Sequence, residues 1–238
     1  IAQLKDINFS NGTIEFDVAL AEISNFSSIY LRMQDKENTE HVYLRWFWAN
    51  NPNMNSGVQY AAIVDGVNYW DISHEYQSGA DFQRDSWNRI KLVVRDQQLL
   101  LYVNNMETPT LYIPILDSEY ESGAIGLDGK SWITDVSISP NEFDRLSPGA
   151  GFDPTFNDTR YIRNWQVSRP VIFEQGREPM DNDLPDNTTE WNDITAERHG
   201  LVNLSRPFGI TSQGSRRLVW LKTTIISDKV QRRRLDFG

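Results

Sequence analysis

The chain has 238 residues, 39% of them hydrophobic and 12% aromatic, which is ample for a packed core and excludes a disordered chain. Its 33 acidic against 23 basic residues give a net charge of −10, which repels phosphate backbones and argues against nucleic acid as a partner. Cysteine is absent, so there is no disulfide framework, thiolate metal site or Cys nucleophile. No apolar run approaches the roughly 20 residues of a membrane helix, so membrane insertion is not expected.

The first half reads as strand after strand. Residues 14–20 alternate apolar with polar or small side chains, after a turn signal at Asn11-Gly12. Residues 29–33 and 41–45 repeat the alternation around a polar loop at 35–40, the pattern of a hairpin. An Asn-rich loop at 50–56 leads to a strand at 58–64, and Asp65-Gly66 turns tightly into 67–72. The clearest pair is 87–95 with 99–103; the last is 123–127 with 132–138, split by Asp128-Gly129. Residues 1–140 contain no 3.6-period segment of helical length, and many short strands with regular turns imply a sandwich or barrel. The Pro/Gly-rich stretch at 141–159 is linker chemistry. Residues 160–238 read as part of a second β-sandwich: alternation at 161–167, a polar loop at 178–192, a strand at 218–226 and the start of another at 234–237.

Residues 30–35, Val42-Tyr43-Leu44-Arg45, Gln59-Tyr60, Gly66 with Trp70, residues 87–91 and Gly123-Ala124-Ile125-Gly126-Leu127 carry a family resemblance. In order and spacing they resemble the bacterial LamG-like, concanavalin A-like domains, often grouped with glycoside hydrolase family 16 or the 3-keto-disaccharide hydrolase group. The resemblance covers roughly residues 5–140 and implies an all-β jelly-roll sandwich in an extracellular or periplasmic protein. The superfamily includes lectins, carbohydrate-binding modules, enzymes and structural domains, so fold alone does not set function.

Glu15 and Asp17 stand at i and i+2, which places both carboxylates on one face of a strand, as a retaining glycosidase requires. The family 16 pattern adds a second Glu two to three residues later, where this chain has Ala19 and Leu20. The competing reading pairs these carboxylates with arginines. A hairpin centred near Glu37-Asn38 sets Arg32 opposite Tyr43 and Tyr30 opposite Arg45, a face that a neighbouring strand bearing Glu15 and Asp17 would neutralise. The same face serves as a ligand surface, because aromatic rings stack on sugar C–H faces and planar forks bind hydroxyls. Arg32, Tyr43, Arg45, Gln59, Tyr60 and Trp70 offer that mixture; loop 50–56, with Trp46 and Trp48 beside it, would close one end, while Trp87 and Trp132 are expected in the core.

The three histidines, at 41, 74 and 199, form no spaced metal motif, and neither a G-x-S-x-G elbow nor a Gly-rich phosphate loop is present. No cofactor is expected; the lectin resemblance leaves a structural Ca²⁺ on loop carboxylates as the one metal to consider. Three functions fit. The first is non-catalytic binding of a glycan or another small polar ligand. The second is a glycoside hydrolase or lyase acting through Glu15 and Asp17. The third is a structural interaction domain of an envelope protein.

Overall fold

A computed structural model describes residues 1–22, 24–149, 151–204, 206–208 and 216–236. The described residues divide into two compact units, Ile1–Phe156 and those from Asn157 onward.

The first unit holds twelve strands: β1 (Ala2–Gln3), β2 (Gly12–Leu20), β3 (Phe26–Met33), β4 (Thr39–Arg45), β5 (Val58–Val64), β6 (Val67–Asn68), β7 (Gln77–Ser78), β8 (Asn88–Arg95), β9 (Gln98–Val103), β10 (Leu111–Ile113), β11 (Ala124–Gly129) and β12 (Ser131–Pro140). They build two antiparallel sheets. One runs β1-β11-β3-β4-β5-β6, with β7 also on β5, and the other runs β10-β9-β8-β2-β12. Alternation drives the packing. Ile14, Phe16 and Val18 of β2 and Ile90, Leu92 and Val94 of β8 share one core with Ile29 and Leu31 of β3, Val42 and Leu44 of β4, and Val58 and Tyr60 of β5. The chain is thus an all-β jelly-roll sandwich over this unit. The Asp65-Gly66 turn forms as expected, both residues taking positive φ (49° and 78°), the backbone that lets two strands join without splaying.

The β3–β4 hairpin is centred earlier than the polar run suggests. Tyr30 pairs with His41, Ser28 with Tyr43 and Phe26 with Arg45, so Arg32 is not opposite Tyr43, nor Tyr30 opposite Arg45. Thr39 and Glu40, polar enough to read as loop, enter the ladder because their side chains find buried partners. The Thr39 hydroxyl donates to the Leu31 carbonyl (3.1 Å), and Glu40 accepts the Tyr60 hydroxyl (2.5 Å) and the Ser118 backbone N–H (2.7 Å). Burial raises the Glu40 carboxyl pKa, with the Ser118 and Tyr60 hydrogen bonds opposing.

Two tryptophans expected in the core are outside it: Trp87 is 52% and Trp132 66% exposed. Trp87 lies in the turn before β8, and on edge strand β12 it is the neighbouring Ile133 that packs on the core, leaving Trp132 outward. Trp46 is fully buried instead. After β12 the chain straps the outer side of the five-stranded sheet: Thr13 donates to the Glu142 carbonyl (2.7 Å), Lys91 pairs with Asp144 (2.9 Å), and Leu146 packs with Val93, Leu100 and Tyr102.

The second unit contains β13 (Asn164–Ser168), β14 (Val171–Ile172), β15 (Trp191–Thr195), β16 (Arg217–Leu218) and β17 (Leu221–Lys222), arranged as β15-β13-β17 and β14-β16. The strand expected at 218–226 is two short pieces, and Ile225 and Ile226 are exposed. Residues 234–236 form no strand, and Phe237 lies outside the described residues.

Candidate functional site

Along β4, strict alternation puts His41, Tyr43 and Arg45 on the outer face of the seven-stranded sheet, while Val42 and Leu44 enter the core. Phe26, Ser28 and Tyr30 of β3 share that face, and Asn68, Trp70 and Asp128 complete a groove of about 420 Å³. The Trp70 indole is 54% exposed. Its backbone is fixed from both directions. The Trp70 N–H donates to Asn68 Oδ1 (3.2 Å), and its carbonyl accepts from Gln59 Nε2 (2.6 Å), which also donates to the Ser73 carbonyl (3.3 Å).

Gln59 is buried beneath the groove, where its Oε1 accepts from both the Tyr43 hydroxyl (2.9 Å) and Arg45 Nη2. Arg45 also donates to the Ser56 carbonyl (2.8 Å) and the Tyr43 oxygen (3.2 Å), and its guanidinium lies 5.0 Å from the Tyr43 ring centre. Among the described residues no carboxylate pairs with Arg45, so this nearly buried cation is offset by neutral oxygens alone. Burial raises the Tyr43 pKa against the opposing charge of Arg45. The Tyr30 pKa is also raised, first by burial and further by Asp128, with a hydrogen bond to Ser28 opposing.

His41 lies on the floor between Tyr30 and Tyr43, its ring centre 5.4 Å and 5.0 Å from theirs. It is 4% exposed, and among the described residues neither ring nitrogen has a hydrogen-bond partner. Burial lowers its pKa to about 4, so at neutral pH it is an uncharged imidazole able to give one hydrogen bond and accept another. An unsatisfied buried polar group costs about 1–3 kcal/mol, and both ring nitrogens are shut off from solvent.

Residues 3–144 match the family model described as a 3-keto-alpha-glucoside-1,2-lyase-like domain. The chain belongs to that family. Among solved structures it is similar to the carbohydrate binding module CBM66 from Bacillus subtilis (12% identity, 55% of this chain and 76% of that one, TM-score 0.39). It is also similar to the Caenorhabditis elegans galectin LEC-6 (14% identity, 58% and 94%, TM-score 0.43) and to chicken galectin 2 (11% identity, 58% and 98%, TM-score 0.43). No curated protein matches.

Every residue singled out from sequence falls within the lyase-like span, yet the fold sorts them into four places. Tyr43, Arg45 and Trp70 line the groove and Gln59 supports it from below. Tyr60 faces the opposite way, into the core, where it donates to Glu40 and accepts the Asp117 N–H (2.7 Å). Arg32 leaves the groove face, because its positive φ of 48° turns β3 at a bulge. Its buried guanidinium binds the carbonyls of Ser10 (3.0 Å), Asp96 (2.6 Å) and Tyr120 (3.4 Å). Glu15 and Asp17 sit on the other sheet, facing outward astride Arg89, each 3.4 Å from it, so their partner is neither Arg32 nor Arg45. His41 was not singled out, although its i, i+2, i+4 spacing with Tyr43 and Arg45 marks it as facing the same way. Among the described residues no three His, Asp or Glu side chains converge as a metal-binding group.

Proposed function

We propose that the groove on the outer face of the seven-stranded sheet is a carbohydrate site. A sugar ring stacks on the exposed Trp70 indole, and its oxygens meet Arg45, Asn68 and Asp128. The observation that carries the reading is the half-exposed Trp70 side chain, set in one groove with the hydrogen-bonding groups of Asn68, Asp128 and Arg45. A flat apolar face beside donors and acceptors suits a sugar, which offers both a C–H face and hydroxyls that donate and accept. Calorimetric titration with methyl α-glucoside tests it: binding is expected in the wild type and lost in Trp70→Ala, which removes a half-exposed side chain and leaves the fold intact. No heat with any glycoside would overturn the reading.

A second reading rests on the family and on the protonation state of His41. In a 3-keto glycoside the ketone acidifies the C2–H bond. A neutral imidazole can take that proton while the C2–H electron pair forms the C1=C2 double bond, and the C1–O bond breaks with its electrons on the leaving alcohol, which is then protonated. His41 is in the base form at neutral pH. Glu15 and Asp17 face away from the groove and are engaged by Arg89, which favours His41 over them as the base. Incubation with a 3-keto α-glucoside, followed by mass spectrometry, should release the aglycone and an unsaturated keto sugar. His41→Gln should abolish release; turnover that survives the substitution removes His41 from the role.

A further inference from the structure

The groove is chemically lopsided. At one end stand Ser28, Tyr30, His41, Asn68 and Asp128, all bearing hydrogen-bonding atoms. The other end is aromatic apart from Arg45, which pairs across the strands with Phe26 and whose guanidinium is already engaged by Gln59, Tyr43 and the Ser56 carbonyl. From Tyr43 outward the rings run Tyr43–Phe26 at 5.7 Å and 73°, Phe26–Phe47 at 6.0 Å and 87°, and Phe47–Trp48 at 5.2 Å and 64°. Each step is edge-to-face, the arrangement that ring quadrupoles favour. Beyond Tyr43, the only polar side-chain atom this series brings is the Trp48 indole N–H.

Phe26 lines the groove itself, so the series continues the carbohydrate site rather than standing apart from it. Phe26 and Phe47 are nevertheless 43% and 46% exposed. Two adjacent phenyl rings held half in water at the mouth of a polar groove form an unfinished herringbone, whose next member is another flat apolar ring. A second sugar ring packed on Phe26 and Phe47 fits poorly, because past Arg45 its hydroxyls would lose water against bare phenyl rings.

We propose that the ligand is an aryl glycoside, its sugar seated over His41 and Trp70 and its aromatic aglycone packed on Phe26 and Phe47. This rests on the carbohydrate reading of the groove and names the class of compound that fills its whole length. The 3₁₀ turn Trp46–Trp48 that carries Phe47 thus determines specificity for the aglycone, while the β4 face holds the sugar.

Titration with methyl α-glucoside, phenyl α-glucoside and maltose tests the assignment. The phenyl compound should bind about tenfold tighter than the methyl one, an advantage consistent with burying one face of a phenyl ring. Phe47→Ala should erase that advantage and leave methyl α-glucoside binding unchanged; Phe47→Tyr, which keeps the ring, should restore it. An unchanged unfolding midpoint in Phe47→Ala would show that the loss is local. Equal affinity for methyl and phenyl compounds, or a phenyl advantage that survives Phe47→Ala, would overturn the aglycone assignment and leave the sugar site standing. A Phe47-dependent gain as large for maltose as for phenyl α-glucoside would overturn it in favour of a second sugar. If none of the three binds, the carbohydrate reading itself fails.

Discussion

His41 makes the stability of this protein depend on pH in a direction that can be worked out. In the folded chain burial holds its pKa down to about 4, whereas unfolding returns it to the ordinary value of 6.5. Between those values the unfolded chain binds more protons than the folded one, so stability present above about pH 6.5 is lost as pH falls through 4. At about 1.4 kcal/mol for each tenfold, the full effect is about 3 kcal/mol. Glu40 works in the opposite sense, because burial raises its pKa and acid therefore favours its folded form. The measurement is accordingly a difference between two proteins that share Glu40. His41→Phe keeps a ring between Tyr30 and Tyr43 and removes the titration. Urea unfolding of both proteins from pH 7 down to pH 4 should show the wild type losing about 3 kcal/mol relative to the variant. Parallel profiles, or an imidazole whose nuclear magnetic resonance signals titrate above pH 6, would show that burial does not hold His41 neutral. Either result would mean that the groove floor is wet or that His41 has a partner.

Arg32→Met should destabilise the sandwich by about 3 kcal/mol in denaturant titration, because it strands the Ser10, Asp96 and Tyr120 carbonyls that the guanidinium now binds, and it should leave glycoside affinity unchanged. Tyr60→Phe removes a hydroxyl that both donates to Glu40 and accepts from Asp117, and should cost about 2 kcal/mol by the same assay. Glu15→Gln combined with Asp17→Asn should shift stability by less than about 1 kcal/mol, since the pair with Arg89 is partly solvated, and should leave both binding and any lyase turnover at wild-type levels.

The sandwich was legible because its strands alternate with few interruptions, and 14–20, 41–45 and 58–64 each have one face without a charge. The hairpin register was not, because what draws Thr39 and Glu40 into β4 is tertiary. Glu40 is stabilised by Tyr60 and Ser118, 20 and 78 residues away, which no local pattern shows. The two-residue shift of the hairpin centre left each side chain on its own face but changed its neighbours. It set Tyr30 beside His41, and the bulge at Arg32 carried that residue out of the set. Trp132 and Ile133 are both apolar, so the phase of β12 was ambiguous until packing chose the isoleucine. In the second unit the apolar run 218–226 satisfies strand propensity, yet Ile225 and Ile226 are exposed, and propensity without burial did not hold a long strand.

The Gln59 carboxamide has one end that only accepts and one that only donates, and both are committed: oxygen to Tyr43 and Arg45, nitrogen to the carbonyls of Trp70 and Ser73. The guanidinium and the indole platform are therefore spaced by a single rigid strut rather than by two independent loops. A groove built this way behaves as a gauge and not as a clamp. It admits ligands whose polar group and flat face already match the interval, and it has no cheap means of stretching to fit others. Exchange of Gln59 for Glu would place an anion against two carbonyls and release the Trp70 end, converting a fixed interval into a variable one.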